Sequence, residues 1–314
     1  MSTKLRMAVV GVGHLGAIHA AIYARMPEVD LVGVVDSDAE TAIRVASKCH
    51  CEVFQPASSL LGKVDAVSVA VPTSMHREVA EPILADGIPM LLEKPVAHSL
   101  EDAKAIVRCA DSSGVILQIG HLERFNAGVI RLSEELDQPR FIEVHRLGKF
   151  VERVSDVDVI TDLMIHDIDI VLSLVSAELK YVSAVGARVI TDHVDIANAR
   201  LEFDDGAIAN VTASRVSQST FRRIRIFGQA CYLGLNFRDQ QIDMVRPGAT
   251  PIGGGFAPMV SETIQVTPRL PLDAELQHFV ECVQQRKMPL VTGMEGVLAL
   301  EVAHEVRIKI NESL

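Results

Sequence analysis

Three groups of residues in this chain have types and spacings suited to chemistry. The first is a glycine-punctuated turn, Gly11-Val12-Gly13-His14-Leu15-Gly16, placed after an apolar run and opening a segment of helical period. That context is the one in which such a turn binds a dinucleotide. Gly11 permits the tight turn, Gly13 lets a pyrophosphate approach the backbone, and Gly16 lets helix and strand pack closely, with the anion on the helix N-terminus. Asp36 lies 20 residues beyond Gly16, at the end of the second apolar run, where a carboxylate accepts hydrogen bonds from the adenosine ribose. A carboxylate repels a 2′-phosphate and Ser37 follows it instead of an arginine, so NAD is expected over NADP. The second group is Glu93-Lys94-Pro95. A lysine closing an apolar strand of a parallel sheet points into the crevice where such sheets bind ligands. Partial burial and a cationic nicotinamide ring disfavour its charge there, which suits it to accept a proton; pairing with Glu93 for solubility is the plainer reading. The third group is Asp162, His166 and Asp169, which recur at i, i+4 and i+7 and set an acid, an imidazole and an acid on one helix face. The plainer reading of that face is a buried histidine satisfied by two carboxylates.

The elements that must position these groups follow from hydrophobic period. Apolar runs at Leu5–Val10, Leu31–Val35, Ala66–Val71, Met90–Leu92 and Val115–Ile119 read as buried parallel strands. Between them Ala17–Met26, Ala39–Cys49, Met75–Ala85 and Leu100–Ala110 have helical spacing. Capping boxes are expected at Ser37 with Glu40 and at Ser99 with Asp102, and Gly87 and Gly114 follow two of the helices. The alternation predicts an α/β domain, a doubly wound parallel Rossmann sheet, over residues 1–121. Beyond it, runs at 141–147, 181–190, 196–203, 207–216, 221–227, 232–237 and 240–245 alternate as strands, and 273–285 and 296–310 have helical period. Residues 122–314 are therefore expected to form an α+β domain with a large, open, mostly antiparallel sheet. The Gly253–Gly255 stretch lacks the lysine of a phosphate loop and reads as a flexible turn.

The fingerprint, the Glu93-Lys94-Pro95 segment, Pro72-Thr73 with His76, and Leu84-Ala85-Asp86-Gly87 together resemble the Gfo/Idh/MocA family of NAD(P)-dependent oxidoreductases along the whole chain. The resemblance implies that Gly11, Gly13, His14, Leu15, Gly16, Asp36, Pro72, Thr73, His76, Glu93 and Lys94 meet the cofactor. It further implies that Lys94 lies beside nicotinamide and substrate, that the bond before Pro95 is cis, and that Asp162 and His166 belong to a catalytic helix. Many members place a glycine two residues after the aspartate, where this chain has Met164, which implies a pocket of different width. Gly120-His121-Leu122-Glu123-Arg124-Phe125-Asn126 follows the last strand of the nucleotide sheet, and Arg124 is placed either to clamp an anionic or hydroxylated ligand or to form an interdomain salt bridge. With Asp156-Val157-Asp158, this text is similar to a bacterial subgroup acting on nucleotide sugars such as UDP-N-acetylglucosamine, and Arg146 and Arg153 are placed to meet a diphosphate. A free polyol or hexose as substrate, or a non-catalytic NAD-sensing regulator, stay open as alternatives. The family's sheet-to-sheet packing implies a homodimer or homotetramer.

Composition bounds these readings. With 30 Lys plus Arg against 41 Asp plus Glu, the formal charge of −11 argues against coating nucleic acid or an anionic membrane. No apolar stretch is long enough for a membrane span and the N-terminus lacks a signal-peptide pattern, so the cytoplasm is expected. Five scattered cysteines read as reduced thiols. Cys49 and Cys51 flank His50 without a second ligand pair, so buried small hydrophobes are expected there and no metal. Trp is absent, so a sugar would be gripped by hydrogen bonds rather than stacked on an indole.

Overall fold

In the computed structural model, which describes residues 4–151, 157–229, 231–249 and 256–314, strands and helices alternate through the first part of the chain. These are β1 (Leu5–Val10), α1 (His14–Arg25), β2 (Val29–Val35), α2 (Ala39–Cys49), β3 (Glu52–Phe54), β4 (Ala66–Val69), α3 (His76–Ala85), β5 (Met90–Glu93), α4 (Leu100–Ser113) and β6 (Leu117–Gly120). All six strands pair in parallel in the order β3-β2-β1-β4-β5-β6. Because helices cover both faces of such a sheet, its strands are apolar without alternation, and β4, β5 and β6 are buried along their whole length. The sequence pattern missed β3: only Phe54 of its three residues is buried. It also started α1 three residues late, because the glycine turn itself opens the helix.

Local chemistry sets the helix ends. Ser99 Oγ accepts from Asp102 N at 3.1 Å and caps α4, and Gly114 closes it at φ 65°. At α2 the expected cap on Ser37 is not made: Asp38 is the N-cap, its carboxylate accepting from Glu40 N. The preceding Asp36 accepts from Asp38 N at 2.9 Å, which sets the approach to the helix one residue later than expected.

The remaining elements are α5 (Ala127–Glu135), β7 (Pro139–Leu147), a π-helical turn (Ile160–Met164), α6 (Ile165–Leu174), β8 (Leu179–Ala187), β9 (Ile196–Phe203), β10 (Ile208–Ser214), β11 (Phe221–Gly228), β12 (Tyr232–Asn236), β13 (Gln241–Pro247), β14 (Met259–Ile264), α7 (Pro271–Gln285) and α8 (Gly293–Ser313). An eight-stranded sheet runs β14-β13-β12-β11-β7-β10-β9-β8. Its neighbours are antiparallel except β7 and β10. The edge strand β14 escaped the sequence pattern, since none of its six residues is buried and no apolar face distinguishes it.

Chain contacts divide the molecule into residues 1–122 with 272–297, and residues 123–271 with 298–314. The first break falls after Leu122, and neither unit is one continuous segment. Leu276, Phe279 and Val280 of α7 pack with Met7, Val9 and Tyr23 in the first core, and apolar burial decides which unit a segment joins. In the second unit Ile165 through Val171 of α6 and Val302, Val306 and Ile310 of α8 are buried in the core over the sheet. Gly253–Gly255 lies outside the described residues.

Candidate dinucleotide site and buried charge networks

The glycine turn has the geometry its spacing predicts. Gly11 sits at φ 81°, and a Cβ there would meet Val71 N at 2.7 Å. A Cβ on Gly16 would lie 1.8 Å from the Gly11 carbonyl oxygen, so helix and strand touch through hydrogen alone. At Gly13 a Cβ would meet nothing within 4 Å, which leaves the backbone open to a ligand. Gly13 is also the N-cap of α1 and no side chain caps it, so the first N–H groups of the helix are available to an anion. Val12 N donates to Asp36 Oδ2 at 2.7 Å, which ties the end of β2 to the turn. A cavity of about 820 Å³ is lined by Gly11, Gly13, Asp36, Ser37, Pro72 and Met75, among others. His14 is exposed, Leu15 half-buried, and Thr73 opens a short 3-10 turn before α3. The donor set and the open backbone fit a dinucleotide.

Two residues expected to meet the cofactor are almost enclosed by protein. His76 is 1% exposed, with Nδ1 3.1 Å from the Val96 carbonyl and Nε2 3.1 Å from the Val71 carbonyl. Burial lowers its pKa below the ordinary imidazole value, against the pull of those carbonyls. It braces the chain on either side of the site and presents no edge to a ligand. Glu93 is 6% exposed; its Oε2 accepts from Lys94 N at 3.3 Å, and its Oε1 lies 3.3 Å from His19 Nε2. His19 Nδ1 reaches Ser68 Oγ at 2.8 Å, and the Tyr23 hydroxyl, whose pKa burial pushes up, is buried near them. A Cβ on Gly120 would come within 3.0 Å of the Glu93 carboxylate. Lys94, half-buried at the end of β5 and followed by a cis bond to Pro95, thus stands on a buried carboxylate, imidazole and hydroxyl. Sequence reasoning missed His19 and Ser68; the available signal was a histidine inside the apolar stretch of α1.

In the second unit the Asp162–Asp169 segment is helical, but Asp162 lies on the π-helical turn and His166 in α6, so the simple i, i+4 face is loosened at its start. His166 is 9% exposed and Asp162 half-buried. Asp158 Oδ1 accepts from Thr161 N at 2.7 Å and fixes the entry to the turn. Met164, expected to alter a pocket, is fully buried in the core. Arg124 does not stand ready for a ligand: its Nη1 lies 3.4 Å from Asp169 Oδ1, and its side chain is 10% exposed. Nor does Arg146 face a diphosphate. It is 3% exposed, grips Asp167 through Nε at 2.8 Å and Nη2 at 2.7 Å, and donates to Glu123 Oε1 at 2.9 Å. Burial works against its charge, but the two carboxylates more than offset this and its pKa is raised. Each arginine is used up in holding α6. Arg153 and Asp156 lie outside the described residues. Cys49 and Cys51 pack half-buried against the first core, and burial raises both thiols, Cys51 to about 11.

A glycine turn on a helix N-terminus, an acid closing the second strand and one cavity reaching both define a dinucleotide-binding domain of the dehydrogenase type. Residues 5–121 match the oxidoreductase family with NAD-binding Rossmann fold, and residues 131–233 match the GFO/IDH/MocA C-terminal domain. The chain belongs to the Gfo/Idh/MocA oxidoreductase family. It is 37% identical over 311 residues to UDP-N-acetylglucosamine 3-dehydrogenase of Acidithiobacillus ferrooxidans, covering 99% of this chain and 98% of that one. The solved structure of a UDP-N-acetylglucosamine 3-dehydrogenase from that organism superposes with a TM-score of 0.92 at 36% identity, covering 98% of each chain. The scyllo-inositol 2-dehydrogenase (NAD(+)) of Bacillus subtilis is 30% identical, over 96% of this chain and 93% of that one. Among the described residues no helix is long and apolar enough to cross a membrane.

Proposed function

We propose that this chain is an NAD-dependent dehydrogenase acting on the 3-hydroxyl of UDP-N-acetylglucosamine in the cytoplasm. The observation behind the substrate is the 37% identity to a UDP-N-acetylglucosamine 3-dehydrogenase along nearly the whole of both chains. NAD would be held by Gly11, Gly13, His14, Leu15 and Gly16, with Pro72 and Thr73 beside them, and Asp36 would take the adenosine ribose. The Asp36 carboxylate lines the cavity that the glycines line, and it disfavours the 2′-phosphate of NADP there. When bound, NAD supplies the hydride acceptor.

The chain's own part is to hold the alcohol and take its proton. Lys94 and His166 position the hydroxyl, and one of the two removes the proton as hydride leaves the carbon. Asp162 orients His166 or a neighbouring hydroxyl. The pH profiles of kcat in Lys94 and His166 single variants identify the base, because its limb disappears when it is replaced. A homodimer or homotetramer is part of this reading. The sheet face opposite the second core carries Tyr181 and Val185, more than half exposed, and the Phe227 and Tyr232 rings, tilted against each other at 5.1 Å.

A cofactor-absorbance assay of NAD and NADP against UDP-sugars, free sugars and inositols tests the proposal. Turnover of UDP-N-acetylglucosamine with NAD is expected. Turnover of free inositols alone moves the reading to the polyol class, which the 30% identity to an inositol dehydrogenase supports. NAD binding without turnover of any alcohol leaves a sensor. Light scattering checks the oligomer.

A further inference from the structure

We propose that Arg222 is the residue of the second unit that binds the diphosphate of the nucleotide-sugar substrate, an assignment that rests on the substrate class proposed above. Arg222 and Arg146 are directly opposed across the β11–β7 pairing, so both side chains leave the same face of the sheet. Ile224 and Ile226, two and four residues along β11, are fully buried on that face. At the strand end the face passes from the core to charge, beside the segment that holds Asp162 and His166. Arg146 reaches into that segment through its paired bonds to Asp167, and Arg222 feels the Asp162 carboxylate.

The two guanidiniums are unequal. Arg146 is enclosed by Asp167 and Glu123, while the Arg222 side chain is 46% exposed. Among the described residues, its ion-pair contact is Glu123 Oε1 at 3.8 Å, the same oxygen that already accepts from Arg146 Nη1 at 2.9 Å. That distance is beyond hydrogen-bond reach. Like charges directly opposite on neighbouring strands repel, and Glu123 is shared between them. Burial and the Arg146 charge lower the Arg222 pKa despite Glu123, Asp167 and Asp162, as for a cation whose charge is under-compensated. A planar, half-exposed fork in this state suits a diphosphate, whose oxygens accept its parallel N–H groups. With Arg124 and Arg146 committed to Asp169 and Asp167, Arg222 takes the part those two were expected to play.

The test uses NAD-saturated enzyme, so that UDP meets the substrate site rather than the glycine turn. Binding of UDP and of uridine is measured by calorimetry in wild type, Arg222→Met and Arg222→Lys, alongside the KM for UDP-N-acetylglucosamine. Arg222→Met is expected to raise the UDP Kd and the KM by about 10- to 100-fold, the size of a charge-assisted contact, with uridine binding and kcat little changed. Arg222→Lys, which keeps the charge without the fork, falls between. Melting and NAD affinity at wild-type values confirm that the variants fold. Unchanged UDP binding in Arg222→Met, or an equal loss for uridine, overturns the assignment while wild-type turnover keeps the proposed function standing. Arg222-dependent UDP binding without turnover of UDP-N-acetylglucosamine does the reverse. A wild type that binds no UDP overturns the assignment whatever its turnover.

Discussion

The two units bury charge in opposite ways. In the first, Glu93 lies against the His19 imidazole and the backbone N–H of Lys94, with the Ser68 hydroxyl beyond His19. In the second, Arg146 is locked between two carboxylates with paired bonds to Asp167 and a third to Glu123. A soft network around one carboxylate can change hydrogen-bond partners at small cost; a paired arginine cannot, because removing either partner strands a buried charge. The lesson is a division of labour. The soft network lies directly behind the lysine proposed for proton chemistry, and the rigid one fixes the helix on which His166 stands.

The largest expected effects fall on the two residues in front of these networks. Lys94→Ala and His166→Ala should each lower kcat by about 10²- to 10⁴-fold while leaving NAD binding detectable by fluorescence titration, and unchanged turnover would remove either from the mechanism. Next comes Arg146→Met, which should destabilise the protein by about 3–5 kcal/mol in urea unfolding, with part recovered when Asp167→Leu removes the stranded carboxylate. If the comparison holds, Glu93→Gln costs only about 1–2 kcal/mol yet lowers kcat with little change in KM and shifts the pH profile. A loss of stability as large as that of Arg146→Met would show that the two networks are alike. Gly13→Ala adds a methyl where nothing stands within 4 Å, so it should melt as wild type while NAD binds about tenfold more weakly.

The smallest effect is a pH dependence that separates the units. The His76 pKa is depressed from its ordinary 6.5, so below that value the unfolded chain takes up a proton that the folded one resists. Stability from this group is complete above about pH 6.5 and is lost as pH falls through the lowered folded value. In the second unit Asp195 is the matching case at lower pH. Burial opposes its charge, but the N–H groups of Val189, Ile190 and Thr191 and the Arg215 guanidinium hold its pKa well below the ordinary 3.8. Its contribution persists down to about pH 4 and fades only below. Urea midpoints measured between pH 7 and 4 should decline in wild type and flatten in His76→Phe.

How much of this was legible in the sequence depends on whether the physics was local. The glycine turn, Asp36 and the parallel strands were legible because a turn, a spacing and a continuous apolar run are properties of adjacent residues. Helix α7 is legible as a helix, but its place with the first core is not, since Phe279 joins the core that holds Met7 from most of the chain's length away. The same limit explains the arginines. Arg124 and Arg146 looked like ligand groups because sequence shows a cation and hides its partners, and only folding brings Asp169 and Asp167 against them. Arg222 drew no notice within an ordinary strand pattern, although the register sets it beside Arg146. The π-helical turn at Ile160–Met164 had no signal at all, because i, i+4 spacing reads the same whether the turn is tight or wide.

One hydrogen bond has a practical meaning for anyone wishing to retool the enzyme. Asp36 Oδ2 accepts from Val12 N at 2.7 Å, so the carboxylate expected to select the cofactor also fastens the loop that would cradle it. Exchanging Asp36 for a small neutral residue to admit a phosphorylated ribose would unclasp the loop at the same stroke. A redesign toward NADP therefore has to provide a substitute acceptor for Val12, and a serine or asparagine at position 36 is a sounder first choice than alanine.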